Sequence, residues 1–405
     1  MAVAPQPDSA APPPPLAARA ARISVSATST VLAEADRLRA AGRDLVDFGV
    51  GEPDFSTPEH IREAGLEALR AGFTRYTPTP GLAELRAAVA AAHARDFGSN
   101  YPPADALVTV GGKQALFNAV SVLVDHGDEV ILPAPYWVSF LDQIRYAGGV
   151  PVVVPAREER GFTLDLADIE RALTPRTKLI LLNSPANPSG ALLPPAFFAG
   201  VLDLCRRRGL WLLSDECYAK FVYDDQPYSV GAEPAARDRV VLAGSLSKTY
   251  VMTGWRIGYA LGPAPVIAAM LKVQSHSTSN ATSFAQKAAI AALTGTQAPL
   301  AAMLAEFRRR RDLIVQGLRA IPGVRCVLPR GAFYAYPNVA DLLGRPGGPQ
   351  TTLEFSARLL QDQGVVTVPG EAFGTAAHLR FSYAVPEPAI REGLRRLAAF
   401  SALLK

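Results

Sequence analysis

Ser245-Leu246-Ser247-Lys248-Thr249-Tyr250-Val251-Met252-Thr253-Gly254-Trp255-Arg256-Ile257-Gly258 follows directly on a run of small and apolar residues at 240–244. That run reads as a buried strand. Lys248 therefore lies just beyond a strand end, where open α/β sheets collect their chemistry. Ser245 and Ser247 are small and carry hydroxyls, so a bulky ligand can come close and be bonded. Gly254 and Gly258 relieve crowding, and Arg256 is a planar fork suited to phosphate. A lone lysine is by default a solvated surface residue. A lysine flanked by phosphate binders is what a Schiff base with pyridoxal 5′-phosphate requires.

Outward from this stretch the pattern alternates strand and helix, the signature of an α/β domain. Strands are expected at 106–110, 129–132, 151–154, 178–182, 211–214, 240–244 and 256–261, with helices in most gaps. The last two lack a helix-length gap, so one of them is expected to run antiparallel. Upstream lie a helix at 30–41, a short strand at 44–49, a rigid turn at Gly51-Glu52-Pro53-Asp54-Phe55, and helices from 58 to about 72 and from 82 to 97. Thr77, Pro78, Thr79, Pro80 and Gly81 follow Tyr76 in a loop, with nothing in its own strand–helix unit to fix it. Downstream, helices are expected at 266–274, 280–293 and 299–320, the last Arg-rich on its wet face. The remainder reads as a smaller α+β unit with strands near 325–328, 333–336, 365–368 and 378–383 and two helices. The expected division is a disordered Ala/Pro-rich tail (1–20), an N-terminal segment of the small domain (21–58), a large cofactor-binding domain (59–298) and a C-terminal small domain (299–405).

Several further groups stand at strand ends. Gly111-Gly112-Lys113-Gln114 follows the first sheet strand and opens a helix, whose free N–H groups favour an anion. Alone, a Gly-Gly pair reads as a chain reversal. Trp137, after the next strand, can stack on a flat heteroaromatic ring; elsewhere it would be a core residue. Asn187 sits in a loop shaped by Pro185, Pro188 and Gly190 and can donate to a phenolate oxygen. Asp215 ends the strand at 211–214. A buried carboxylate needs a cationic partner, and a protonated pyridine nitrogen supplies one. The bland alternative is a helix N-cap. Tyr218, three residues on, would reach the phenolate side of such a ring. Arg380, in the alternating His378-Leu379-Arg380-Phe381-Ser382-Tyr383, can hold a carboxylate through two parallel bonds if it points inward. In isolation it would be a solvated edge residue.

Composition bounds the possibilities. With 405 residues, 49% apolar and 19% charged, the chain is long enough for two domains and is not disordered. A net charge of +4 is too small and dispersed to argue for nucleic acid. Cys205, Cys217 and Cys326 are few and far apart, which suits buried thiols in a reducing compartment, the cytoplasm. The five histidines lie singly, so no metal site is expected. No apolar run is long enough to span a membrane.

Taken together, the motifs resemble the class I aminotransferases, in particular the aspartate aminotransferase family of fold type I pyridoxal phosphate enzymes, over roughly residues 24–400. The stretch 245–258 is similar to the family's lysine signature. The resemblance implies a large domain with a seven-stranded mixed sheet. It implies that Lys248 bonds the cofactor, Asp215 pairs with its pyridine nitrogen, Asn187 and Tyr218 bond its phenolic oxygen, and Trp137 stacks on its ring. Ser245, Ser247, Arg256 and the amides of Gly112 and Lys113 would hold phosphate. Arg380 would bind the substrate α-carboxylate with Gly51 and Asn187 beside it. The family forms homodimers, in which Tyr76 would reach the neighbouring subunit's phosphate. Gly-Gly-Lys-Gln-Ala-Leu-Phe resembles a bacterial branch in which the lysine, here Lys113, contacts the substrate's distal carboxylate, assisted by residues matching Ser26 and Thr28. Ala186 stands where the family usually has Asn, and Ser189 where it has Thr; neither carries chemistry.

The implied activity is transamination of aspartate or another acidic amino acid with 2-oxoglutarate. Prephenate or aromatic amino-acid transamination fits the same residues, and a lyase or synthase using the same cofactor is a further rival. A transcription regulator with an aminotransferase-like sensor would need an added DNA-binding module, for which the Pro-rich tail is too short. A non-catalytic binding protein would not need both Lys248 and Asp215.

Overall fold

The computed structural model describes residues 16–24 and 27–404, with the backbone alone at 27–32. Most of the Ala/Pro tail and Ser26 lie outside the described residues.

The strands in chain order are β1 (Val46–Asp47), β2 (Ala106–Thr109), β3 (Glu129–Ala134), β4 (Val150–Pro155), β5 (Thr177–Asn183), β6 (Trp211–Asp215), β7 (Val240–Ser245), β8 (Gly258–Leu261), β9 (Tyr334–Ala335), β10 (Val365–Val366), β11 (Val368–Pro369) and β12 (Leu379–Ser382). Seven of them form one sheet in the order β2-β8-β7-β6-β5-β3-β4. β8 runs antiparallel to both of its neighbours, β2 and β7, and the other pairs are parallel. The chain is thus an α/β protein with a seven-stranded mixed sheet, as expected.

The strands are apolar on both faces because helices cover both faces. Along β5, Ile180 and Leu182 enter one core, with Leu212, Val240 and Leu242. Leu179 and Leu181 enter the other, with Leu213 and Val241. A third core lies under the small sheet β11-β12-β9, built on Phe307, Phe333, Phe381 and Phe400, and includes Val46 and Phe48 from near the N-terminus. β1 pairs in parallel with β10, so the start of the chain is folded against its end.

The smaller strands differ from expectation. Residues 325–328 form no strand; Arg325 makes only an isolated bridge to Asn338. The run at 365–368 breaks at Thr367, giving β10 to one sheet and β11 to another. Arg256 lies outside β8, in a left-handed conformation with φ of 58°.

Candidate active site

The parallel register brings the carboxyl ends of the central strands level: Asn183 of β5 stands beside Asp215 of β6, which stands beside Ala243 of β7. The return strand β8 places Gly258 opposite both Ser245 and Thr109. These strand ends and the segments around them open onto one cavity of about 360 Å³, the size of a small-molecule site. Gly51, Gly112, Lys113, Trp137, Asn187, Asp215, Tyr218, Ser245, Ser247, Lys248, Arg256 and Arg380 all line it.

Ser245 caps a single helical turn, Leu246–Thr249, its Oγ accepting from the Ser247 amide at 3.1 Å. The turn lifts Lys248 into the cavity, where its Nζ donates to the carbonyl oxygen of Gly51. Burial lowers the amine to about 8, so it gives up its proton far more readily than an exposed lysine.

Across from it, Gly111 precedes the helix Gly112–Leu123 with φ of 77°. A Cβ there would sit 2.5 Å from Nη2 of Arg256, so the glycine makes room for the guanidinium. Arg256 is held by donation from Nη1 to the Thr253 carbonyl at 2.9 Å. The helix start, the two serines and Arg256 thus converge as a cradle of donors suited to a phosphate. Lys113 is largely exposed, and its Nζ lies 4.8 Å from the centre of the Trp137 ring. Burial of the ammonium end and the nearby charge of Arg256 hold it below the ordinary lysine value.

Asp215 is 4% exposed. One carboxylate oxygen accepts from the Cys217 amide at 3.0 Å, and it has no ion-pair partner among the described residues. Burial pushes it up to about 6. No α-helix starts here, so Asp215 is not a helix N-cap. An unpaired buried acid facing a cavity calls for a cation from outside the chain.

Arg380 presents the opposite need. Its guanidinium is buried and donates to Asn187 Oδ1 at 3.1 Å and to the Gly49 carbonyl at 2.8 Å, and it has no carboxylate partner among the described residues. It lies 4.7 Å over the Tyr334 ring. Tyr334 in turn shares a 2.8 Å hydrogen bond with Tyr218, and burial, helped by the Tyr334 hydroxyl beside it, holds the Tyr218 hydroxyl well above its usual value.

Sequence reasoning overlooked Tyr334, Asn183 and Gly49. Asn183 accepts from the Asn187 amide at 2.8 Å and donates to the Asp215 carbonyl at 3.1 Å, and its place at a strand end was the available signal. Tyr334 and Gly49 carried none, because only long-range packing brings them in. Tyr76 stands apart from the cavity, 93% exposed. Thr28 is described by its backbone alone, in the helix Ala27–Ala40.

A cation-seeking acid, an anion cradle and a buried lysine of lowered basicity in one cavity fit a pyridinium, a phosphate and an aldehyde carried by one molecule. Pyridoxal 5′-phosphate is such a molecule.

The family model for "Aminotransferase class I and II" matches residues 43–397. The chain is 45% identical to an aspartate/prephenate aminotransferase of Cereibacter sphaeroides, covering 94% of this chain and 97% of the relative. It is 43% identical to an aspartate aminotransferase of Geobacillus stearothermophilus, covering 95% and 98%. Among solved structures, the aspartate aminotransferase of Thermus thermophilus with maleate superposes with a TM-score of 0.91 at 41% identity, covering 95% of this chain and 99% of that one. The match over nearly the whole chain makes this protein a member of the class I and II aminotransferases, pyridoxal phosphate enzymes that exchange an amino group between amino acids and 2-oxo acids.

Proposed function

We propose that this aminotransferase takes the amino group of aspartate, or another acidic amino acid, and passes it to 2-oxoglutarate. The observation that carries the reading is the buried guanidinium of Arg380, with no carboxylate partner among the described residues, in the same cavity as the amine of Lys248. Arg380 binds the α-carboxylate, flanked by Gly51 and Asn187. Lys113 is a second cation without a carboxylate partner among the described residues, and it takes the distal carboxylate. The presence of maleate, a dicarboxylate, in the Thermus structure supports two such contacts.

Pyridoxal phosphate, when bound, supplies the electron sink that allows an α C–H bond to break. The chain does the rest. Asp215 would keep the pyridine nitrogen charged, Asn187 and Tyr218 would bond the phenolic oxygen, and Trp137 would stack on the ring. Ser245, Ser247, Arg256 and the amides of Gly112 and Lys113 would hold the phosphate. The Nζ of Lys248, deprotonated at modest pH, takes the substrate's α-proton and returns it.

Residues 59–298 form the cofactor domain, and 21–58 with 299–405 the small domain. The working unit is a cytoplasmic homodimer in which Tyr76 completes the neighbouring subunit's phosphate site. Prephenate is the second reading. Lys113 over Trp137 offers a cation beside an aromatic face, and the Cereibacter relative bears that name.

A panel of donors (aspartate, glutamate, phenylalanine, alanine) against 2-oxoglutarate, oxaloacetate and prephenate tests this. Highest kcat/KM with aspartate and 2-oxoglutarate is expected. A preference for alanine or another donor without a second carboxylate would overturn the acidic-substrate reading.

A further inference from the structure

Tyr76 stands in solvent on a loop whose base is fastened into the core. The Oγ of Ser283 donates to the Phe73 carbonyl at 2.9 Å. The side-chain amide of Gln286 donates to Thr77 Oγ1 and to the Ala281 carbonyl, each at 2.8 Å, and accepts from the Leu82 amide at 2.9 Å. That of Gln274 donates to the Thr79 carbonyl at 3.0 Å and the Val108 carbonyl at 2.8 Å, and accepts from Asn118 at 3.2 Å. The Val108 amide donates to the Pro80 carbonyl at 3.0 Å, tying the loop to the sheet edge. The residues that fix this loop come from helices distant in sequence rather than from its own strand–helix unit.

Both glutamines have 0% exposure. A buried primary amide is unfavourable unless its donors and acceptor are used, and an apolar side chain of that size would fill the space without that demand. What the amides add is a loop base held at Thr77, Thr79 and Leu82. The side chain left outside by that arrangement is Tyr76, with no hydrogen bond among the described residues.

We propose that Gln274 and Gln286 are positioning residues that aim Tyr76 at the active site of a second copy of the chain. This rests on the shared-site reading above. The loop is set before the subunits meet, so the tyrosine hydroxyl arrives at the cofactor phosphate without further ordering.

Hybrid dimers test it. A Lys248→Ala subunit is paired with a Lys248 subunit, and lysine-bound pyridoxal phosphate is read at the surviving site by its visible absorbance. Thr77→Val removes the loop acceptor of Gln286 and leaves the other glutamine bonds in place. Carried by the Lys248→Ala subunit, it should weaken pyridoxal phosphate binding about tenfold or more, as expected for a lost bond to a charged group, and Tyr76→Phe should do the same from that position. Carried by the Lys248 subunit, Thr77→Val should leave binding unchanged. Thr77→Ser, which keeps the acceptor, should bind like the parent from either subunit. A Tyr76→Phe hybrid without effect would overturn the shared-site reading itself. A Tyr76→Phe effect across the dimer, with Thr77→Val silent there or equally harmful from both subunits, would overturn the positioning proposal alone.

Discussion

The amine of Lys248 donates to the carbonyl oxygen of Gly51, across 197 positions of sequence. This bond joins the lysine to the 51–55 turn, which is itself pinned by the Thr253 hydroxyl on Glu52 at 2.6 Å and by Arg310 on Asp54 at 2.8 Å. The amine is thus oriented before any ligand enters.

Cofactor capture should follow the ionisation of that amine. Only the neutral form attacks an aldehyde, and burial lowers Lys248 to about 8. The rate at which apoenzyme takes up pyridoxal phosphate should rise with pH and level off above about 8. Lys248→Ala should abolish the reducible adduct, which mass spectrometry of the reduced wild type should place on Lys248. An adduct on another lysine would refute the assignment.

Asp215 makes the apoenzyme sensitive to pH in the opposite sense to an ion-paired acid. Its folded value of about 6 lies above the ordinary 3.8, so the fold favours the protonated form. The associated stability is complete below 3.8 and is lost as pH rises through about 6. Asp215→Asn can keep the bond from the Cys217 amide without the buried charge. At pH 7–8 the apo variant should be more stable than apo wild type by roughly 2–3 kcal/mol, yet should retain pyridoxal phosphate poorly. Denaturant melts of both apo forms would settle the sign.

Lys113→Ala should discriminate among substrates. Loss of a charge-assisted bond should reduce kcat/KM for aspartate and glutamate by about 1.5–3 kcal/mol in transition-state terms, with little change for alanine or phenylalanine. Equal losses with every donor would place Lys113 on the phosphate or in the fold instead.

Gly258 is a steric requirement. A Cβ there would lie 2.4 Å from the carbonyl carbon of Gly111 and from the nitrogen of Gly112. Gly258→Ala should push the helix start away from Ser245, lowering stability by about 1–3 kcal/mol and weakening cofactor retention. Thermal unfolding with and without pyridoxal phosphate should show a lower Tm and a smaller cofactor-induced rise. An unchanged Tm would mean the two loops separate freely.

The parts of this protein legible in its sequence were those with a local cause. Each of the seven sheet strands is a short apolar run ended by a polar or small residue, and β8 betrayed its direction by following β7 too closely for a helix. The small sheet was harder because its strands are two to four residues long. No period can be read from Val365–Val366, and Thr367, where the run breaks, has its hydroxyl bonded to that of Ser356 at 3.1 Å, on a separate helix. In the cavity, Lys248, Asp215 and Arg256 were visible because each follows or precedes a strand end. Tyr334 was not, because its partner Tyr218 lies 116 positions away and nothing local marks it.

The hairpin of β7 and β8 has a consequence for the order in which the cavity is lost. Lys248 and Arg256 lie on one short excursion whose ends, Ser245 and Gly258, are paired to each other. Closing so short a loop sacrifices little chain entropy. Arg380, by contrast, on β12 of the three-stranded sheet, meets Gly49, just past β1, across 331 positions. The lysine and the arginine of the phosphate cradle are therefore held by near-neighbour structure, whereas the contact of Arg380 with Gly49 joins segments far apart in the chain. Under mild denaturant or limited proteolysis, discrimination among amino acids should fail while lysine-bound cofactor is still seen. Protection of cofactor absorbance beyond the loss of dicarboxylate binding would reveal that sequence of events.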